Sequence, residues 1–324
     1  MENKIFNIQN TEEFTAIALE VFKHQFKNNK VYRSFCDLLY VHPSSVSKVE
    51  EIPFLPIQFF KSRKVVANTN KVEEIFTSSG TTGTITSKHF VTNISVYKES
   101  YLKGFAHFYG NIEEYAVLAL LPNYLERKGS SLVFMVDDLI RKSKNEESGF
   151  YLNNIEELAE KLIELDKKGQ KTLLIGVSFA LLDLVEKQQF SLKNTIIMET
   201  GGMKGRRKEL IREELHQQLK NGFGVAEIHS EYGMTELLSQ AYSKGNGIFK
   251  TPPWMKILTR ETEDALTINS FGKNGGINVI DLANYNSCSF IATQDLGKVH
   301  KNGTFEIIGR FDNSDIRGCN LMVL

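Results

Sequence analysis

Leu173-Leu174-Ile175-Gly176-Val177 is a short apolar run with no charged residue in it. Such a run reads as a strand covered on both faces, because a half-exposed strand alternates apolar with polar residues. Before it, Asn154 opens a helix with Ile155, Leu158, Leu162 and Leu165 on one face. After it, residues 179–186 read as a second helix. The same alternation extends in both directions. Val117-Leu118-Ala119-Leu120-Leu121, ended by Pro122, and Thr195-Ile196-Ile197-Met198 are further buried strands, and residues 225–229 a fourth. Helices are expected over 130–141 and 204–220. Strands alternating with helices predict an α/β fold with a mostly parallel sheet flanked by helices.

The ends of the chain have a different texture. Asn10 and Glu13 form a capping pair ahead of Phe14, Ile17, Val21 and Phe22, which recur at helical spacing. A second helix runs through Val31, Phe35, Leu38 and Leu39, Pro53 and Pro56 interrupt it with extended chain, and another helix covers 96–108. After Lys250 come short β-like segments at 254–258, 265–268, 277–280, 290–293 and 305–308, punctuated by Gly272, Gly275, Gly276 and Gly303. The expected division is an α/β core over 1–249 and a β-rich subdomain with a tail over 250–324.

The 324 residues are 41% hydrophobic and 24% charged, the make-up of a globular chain with a sizeable core. Lys plus Arg and Asp plus Glu both number 39, which argues against a nucleic-acid binder that works by neutralising phosphates. The basic run Lys204-Gly205-Arg206-Arg207-Lys208 reads as the solvated start of a helix. No run approaches the ~18 apolar residues of a membrane span, and Met1-Glu2-Asn3-Lys4 leads into no signal segment, so a cytoplasmic protein is expected. Cys36, Cys288 and Cys319 have neither disulfide nor zinc spacing.

Four stretches carry candidate chemistry. Thr77-Ser78-Ser79-Gly80-Thr81-Thr82-Gly83 sets five hydroxyls among two glycines. Hydroxyls and turn amides grip anionic oxygens, so the stretch is either a phosphate loop or an ordinary Ser/Thr/Gly surface turn. It is not a Walker A, since Ile85 and Thr86 stand where that pattern needs Gly and Lys. Ser230-Glu231-Tyr232-Gly233-Met234-Thr235-Glu236 follows the fourth strand, where open α/β sheets bind ligands. There Tyr232 can stack on a ring, Thr235 can donate to a phosphate and Glu236 can hold magnesium. Alternatively the stretch starts a helix, with Thr235 as cap and Tyr232 as packing. Glu199-Thr200-Gly201-Gly202-Met203 permits close approach of a ligand or is a plain turn. Asp295, in Thr293-Gln294-Asp295-Leu296-Gly297, can accept from a ribose diol, and Arg310, in Gly309-Arg310-Phe311-Asp312, can hold ribose or phosphate oxygens. Both are otherwise turn and ion-pair residues. Gly222-Phe223-Gly224 is no dinucleotide fingerprint, because it follows a helix and precedes a strand.

In this order the stretches resemble the adenylate-forming superfamily of acyl-CoA synthetases and phenylacetate-CoA ligases. The resemblance implies that residues 77–83 are the ATP phosphate loop and that Gly201, Gly202 and Met203 form the adenine-side turn. It further implies that Tyr232 to Glu236 is the Tyr-Gly-x-Thr-Glu motif, Asp295 the ribose ligand and Arg310 the arginine before the domain hinge. The pattern departs from the superfamily in two places. Its phosphate loop normally continues Pro-Lys-Gly, where this chain has Thr84-Ile85-Thr86-Ser87-Lys88. Most members carry a mobile C-terminal domain that supplies a lysine, and that domain is expected to be absent here.

Residues 131–138 and 312–321 are similar to the LuxE-like acyl-protein synthetases of the bacterial bioluminescence fatty acid reductase complex. This likeness implies magnesium-dependent conversion of a long-chain fatty acid and ATP to acyl-AMP. The acyl group then passes to Cys319 and on to an acyl-CoA-reductase-type partner. Glu236 and Thr235 would serve the adenylation step, with Glu236 on the metal. Arg317 is the nearby cation that would favour a Cys319 thiolate, whereas Cys36 and Cys288 sit in apolar patterns and are expected in the core. Two other readings remain: a ligase that loads coenzyme A or a carrier protein, with Cys319 a bystander, and a catalytically silent nucleotide-binding scaffold.

Overall fold

A computed structural model describes residues 1–67, 71–78, 85–121, 129–152, 154–201, 207 and 210–311. The chain forms two compact units. One comprises Met1–Glu73, Ser87–Asn93 and Pro253–Leu324, the other Glu74–Thr86 and Ile94–Pro252.

The second unit is the α/β body that the alternating pattern predicts. Its strands lie in the order Gly149–Tyr151, Ala116–Leu120, Thr172–Val177, Thr195–Thr200 and His229–Tyr232, all parallel. Every residue of Ala116–Leu120 and Thr172–Val177 is buried, the continuous apolar signature of a sheet covered on both faces. Ala241–Ser243 and Ile248–Lys250 extend the sheet antiparallel beyond His229–Tyr232. Helix Ile155–Lys167 buries Leu158, Leu162 and Leu165. Ser130 caps helix Ser131–Ser143 by accepting from Val133 N at 3.3 Å. The Tyr101 hydroxyl of helix Ile94–Tyr109 donates to the buried Asp138 at 2.7 Å, which ties these two helices together.

Two expectations shift here. The strand expected over 225–229 is His229–Tyr232, because Ala241–Ser243 hydrogen-bonds residues 230–232 into the ladder. The charged helix expected from 204 is Arg212–Phe223 among the described residues. It ends at Gly224, φ +67°, whose N–H reaches Lys220 O at 2.9 Å. Gly222 lets the same helix approach helix Ser178–Lys187, since an added Cβ would strike Val185. The glycines at 222 and 224 therefore serve packing and capping.

The other unit joins both ends of the chain. Strands Met255–Arg260, Asn274–Asp281, Phe290–Val299 and Phe305–Arg310 form an antiparallel set, and Leu55–Pro56 pairs parallel with Phe290–Val299. Residues 265–268 contribute only the bridge Arg260↔Ile268, made by the bonds from Glu261 N to Thr267 O and from Asn269 N to Thr259 O, while Thr267 N donating to Asp264 O at 3.2 Å turns the chain just before it. Asn10 caps helix Thr11–Asn28, with Glu13 N donating to Asn10 Oδ1 at 2.9 Å and Asn10 Nδ2 to Glu13 Oε1 at 3.0 Å. Phe22, Tyr32 and Phe54 gather around Phe290 with ring centroids 6.2, 6.1 and 6.3 Å from it. Gln25, fully buried, donates to Asn284 O at 3.0 Å and accepts from Ser289 N at 3.1 Å. This clamp is why residues 1–73 group with the C-terminal strands, a division different from the expected 1–249 and 250–324.

Candidate active site

In the α/β unit, the carboxyl ends of Thr195–Thr200 and His229–Tyr232 lie side by side, with Thr200 opposite Glu231. This is where parallel sheets present ligands, since the strand ends and the turns after them converge there. Thr200 leads into Gly201, whose φ of +69° favours glycine. Ser178 Oγ donates to Gly201 O at 3.0 Å and to Glu199 Oε2 at 3.2 Å. Glu199, 6% exposed, also accepts from Arg212 Nη1 at 2.9 Å and faces His216 Nε2 at 3.5 Å. Burial raises its carboxyl, but the His216 hydrogen bond and the Arg212 charge outweigh that and hold it below the usual carboxylate range. A buried anion with three partners thus anchors the strand end that leads into Gly201.

Tyr232 closes its strand rather than following it, and its ring meets Phe249 edge-on at 6.1 Å. Residues 233–236 leave as a turn, with Leu237 N donating to Met234 O at 3.1 Å, so no helix starts at Thr235. Tyr232, Gly233 and Thr235 are half-buried, whereas Glu236 is only 5% exposed. Gly233 admits no side chain without movement, because Glu231 Oε1 occupies the place a Cβ would take. At the start of the expected phosphate loop, Thr77 ends strand Glu74–Thr77 and its N–H donates to Gly129 O at 2.8 Å. Gly129 is at φ +89°, and a Cβ there would lie 3.0 Å from Ile75 O, so this approach also needs glycine. Ser78 follows half-buried.

In the β-rich unit, Asp295 and Arg310 are cross-strand partners with Arg310 Nε 3.3 Å from Asp295 Oδ1. Asp295 N donates to Thr293 Oγ1 at 3.1 Å, and Phe311 N to Gln294 O at 2.7 Å. Beneath them lies Arg260, which sequence reading did not single out. Its guanidinium, 8% exposed, donates to Thr293 O at 2.6 Å, Ile277 O at 2.8 Å and Asn278 Oδ1 at 2.8 Å, and sits 5.6 Å from the Phe311 ring centroid. Gly276 makes room for it. Burial lowers the pKa of Arg260, while the Asp295 charge works in the opposite direction.

Of the expected site residues, Thr77, Ser78, Gly201, Tyr232, Gly233, Thr235 and Glu236 belong to the α/β unit and Asp295 and Arg310 to the β-rich unit. Ser79, Gly80, Thr81, Thr82, Gly83, Gly202, Met203 and Cys319 lie outside the described residues. Lys88 is exposed at the start of strand Lys88–Val91. Cys36 and Cys288 are fully buried. Burial pushes the Cys36 thiol up to about 12 and raises that of Cys288 as well, so neither is a ready nucleophile. Among the described residues no group of three or more His, Cys, Asp or Glu could hold a metal. Glu236, expected on magnesium, brings a single carboxylate, and magnesium binds through one or two carboxylates plus phosphate oxygens.

The family model for acyl-protein synthetase, LuxE, matches residues 5–107. A long-chain-fatty-acid–luciferin-component ligase of Photorhabdus luminescens is 35% identical over 68 residues, 21% of this chain and 58% of that protein. Its namesake from Vibrio harveyi is 23% identical across 98% of this chain and 89% of its own length. Among solved structures, ATP-bound MatB from Rhodopseudomonas palustris superposes with a TM-score of 0.56 at 17% identity, covering 75% of this chain and 49% of that one. 2-Hydroxyisobutyryl-CoA ligase with 2-HIB-AMP and CoA gives 0.69 at 12% identity, covering 94% of this chain and 70% of the ligase. The chain thus spans just over half of the first relative and about half of MatB, and its fold is that of the adenylate-forming enzymes.

Proposed function

We propose that this chain, a relative of the LuxE acyl-protein synthetases on the adenylate-forming fold, activates a long-chain fatty acid with ATP and carries the acyl group on Cys319. The observation that carries the reading is the pair of neighbouring parallel strand ends at Thr200 and Tyr232, with Glu236 buried in the turn that follows the second. In the first step a fatty carboxylate oxygen attacks the α-phosphorus of ATP. The bond to the bridging oxygen breaks and pyrophosphate leaves with the electron pair, giving acyl-AMP. The protein's contribution is position and charge, as in phosphoryl transfer generally. Hydroxyls and amides of residues 77–83 hold the β- and γ-phosphates, Thr235 donates to the α-phosphate, and Asp295 and Arg310 hold the ribose. Gly201, Gly202, Met203, Tyr232 and Gly233 frame the adenine. Glu236 would hold magnesium, whose charge offsets that of the departing pyrophosphate.

In the second step the Cys319 thiolate attacks the acyl carbonyl and AMP departs, leaving a thioester. A partner of the acyl-CoA-reductase type then receives the acyl group. Among the described residues no helix is long and apolar enough to cross a membrane. Incubation with ATP, magnesium and a fatty acid should add one acyl mass that neutral hydroxylamine removes. Cys319→Ala should keep acid-dependent ATP–pyrophosphate exchange and lose the label; a label on Cys36 or Cys288 refutes the cysteine assignment.

The likeness to a ligase solved with CoA favours one alternative acceptor. With coenzyme A present, acyl-CoA release at equal rates from wild type and Cys319→Ala would establish thiol ligation in place of self-acylation.

A further inference from the structure

Glu231 precedes the Tyr-Gly-Met-Thr-Glu turn, and nothing in the adenylation step calls on it. One carboxyl oxygen, Oε2, accepts from Thr200 Oγ1 at 2.5 Å, directly across the parallel pair. The other, Oε1, fills the space over Gly233 where a side chain would stand. One side chain therefore touches the last residue before the adenine-side turn and the first residue of the 233–236 turn. Opposite stands Tyr242, buried and paired with Glu231 in the antiparallel ladder. Glu199, beside Thr200, and Tyr109 are the other titratable groups close enough to interact with it. Glu231 is half-buried, and burial together with the charge of neighbouring Glu199 pushes its carboxyl up to about 7. A half-buried carboxyl set beside a second carboxylate costs stability, so its place is explained by what it holds.

We infer that Glu231 is a positioning residue, which fixes the end of strand Thr195–Thr200 against the 233–236 turn through its contacts with Thr200 and Gly233. The inference rests on the reading of those two places as nucleotide-binding elements. Strands that end side by side are aligned by their ladder only as far as the ladder runs. Beyond it each turn moves separately unless a side chain bridges them. A bridge of this kind acts on nucleotide binding and leaves the affinity for the acid alone.

The test compares wild type with Glu231→Ala, Glu231→Gln, Thr200→Val and the Glu231→Ala/Thr200→Val double variant. ATP binding is measured by calorimetry, KM for ATP and for the acid by pyrophosphate exchange, and folding by thermal unfolding. Losing one hydrogen bond to a charged group is worth about tenfold in affinity or somewhat more. Glu231→Ala should therefore weaken ATP about tenfold in both Kd and KM and leave the acid KM within about twofold. Glu231→Gln keeps an oxygen for Thr200 and should recover most of the loss. Thr200→Val should weaken ATP in the same direction, and the double variant should be no worse than Glu231→Ala, since both remove one contact. An unchanged ATP affinity in Glu231→Ala, equal losses in the Ala and Gln variants, or a parallel rise in the acid KM overturns the inference. If wild type binds ATP but shows no acid-dependent exchange, the functional reading falls and the Kd series alone judges Glu231. If wild type binds no ATP, both fall. Should Glu231→Ala not fold, Glu231→Gln and Thr200→Val decide the question by the same Kd series, and wild-type affinity in Thr200→Val then overturns it.

Discussion

Asp295 and Arg310 face one another across two antiparallel strands, with Arg310 Nε 3.3 Å from Asp295 Oδ1. The arginine side chain is 72% exposed. An ion pair this open to water contributes about 0–1 kcal/mol, too little to explain its place by stability. Asp295→Ala is therefore expected to weaken ATP binding on the order of tenfold, as loss of hydrogen bonds to a ribose would. The melting temperature should also fall, because the variant removes the charge that offsets the burial of Arg260. Calorimetry showing unchanged ATP affinity would assign the pair to the surface.

Glu236→Ala should cut magnesium-dependent pyrophosphate exchange by about 10²–10³, the usual cost of removing a group that stabilises developing charge. The carboxylate is 5% exposed, so circular dichroism and a melting curve accompany the assay. A folded variant with exchange within a few-fold of wild type would remove Glu236 from the metal site.

Cys36 and Cys288 are both fully buried, and burial raises both thiols. At pH 8 their thiolate fractions are negligible, so iodoacetamide should leave both unmodified in the native protein and label both after denaturation. Peptide mapping checks this. Rapid native labelling of either would contradict the burial described here.

Glu231 also predicts a pH dependence of folding. Its folded pKa of about 7 lies above its usual 4.5, so the folded state holds the proton more tightly than the unfolded chain. The stability it contributes is full below pH 4.5 and lost as pH rises through 7. Glu231→Gln removes that loss. The variant should gain on wild type by on the order of 1–3 kcal/mol between pH 5 and 8. Urea midpoints at the two pH values measure the difference, and a constant difference would mean the carboxyl titrates normally.

Gly222→Val should destabilise by about 1–3 kcal/mol, because the new side chain enters the space held by Val185 between helices Ser178–Lys187 and Arg212–Phe223. KM values should stay near wild type. A rise in ATP KM without a lower melting temperature would give Gly222 a role in the site.

Much of the fold was legible because its signals are local. Leu173 to Val177 is apolar throughout, and a strand buried on both faces has no other composition. Asn10 and Glu13 announced their cap because both partners lie within one helical turn. The strand at 229–232 was harder to place. Ser230 and Glu231 are polar, and they enter the sheet because Thr200, Arg212 and residues 241–243 satisfy them from elsewhere in the chain.

The sequence by itself determined the order and spacing of the candidate motifs, since these are properties of the chain alone. It also determined the alternation that makes the sheet parallel. Only the tertiary structure decided that residues 1–73 pack with the C-terminal strands, because the Gln25 clamp joins residues 259 to 264 positions apart. Only the tertiary structure put Glu231 against Thr200 and Arg260 beneath Asp295. Those pairings depend on strand register, and a strand's own residues do not specify which neighbour it will meet.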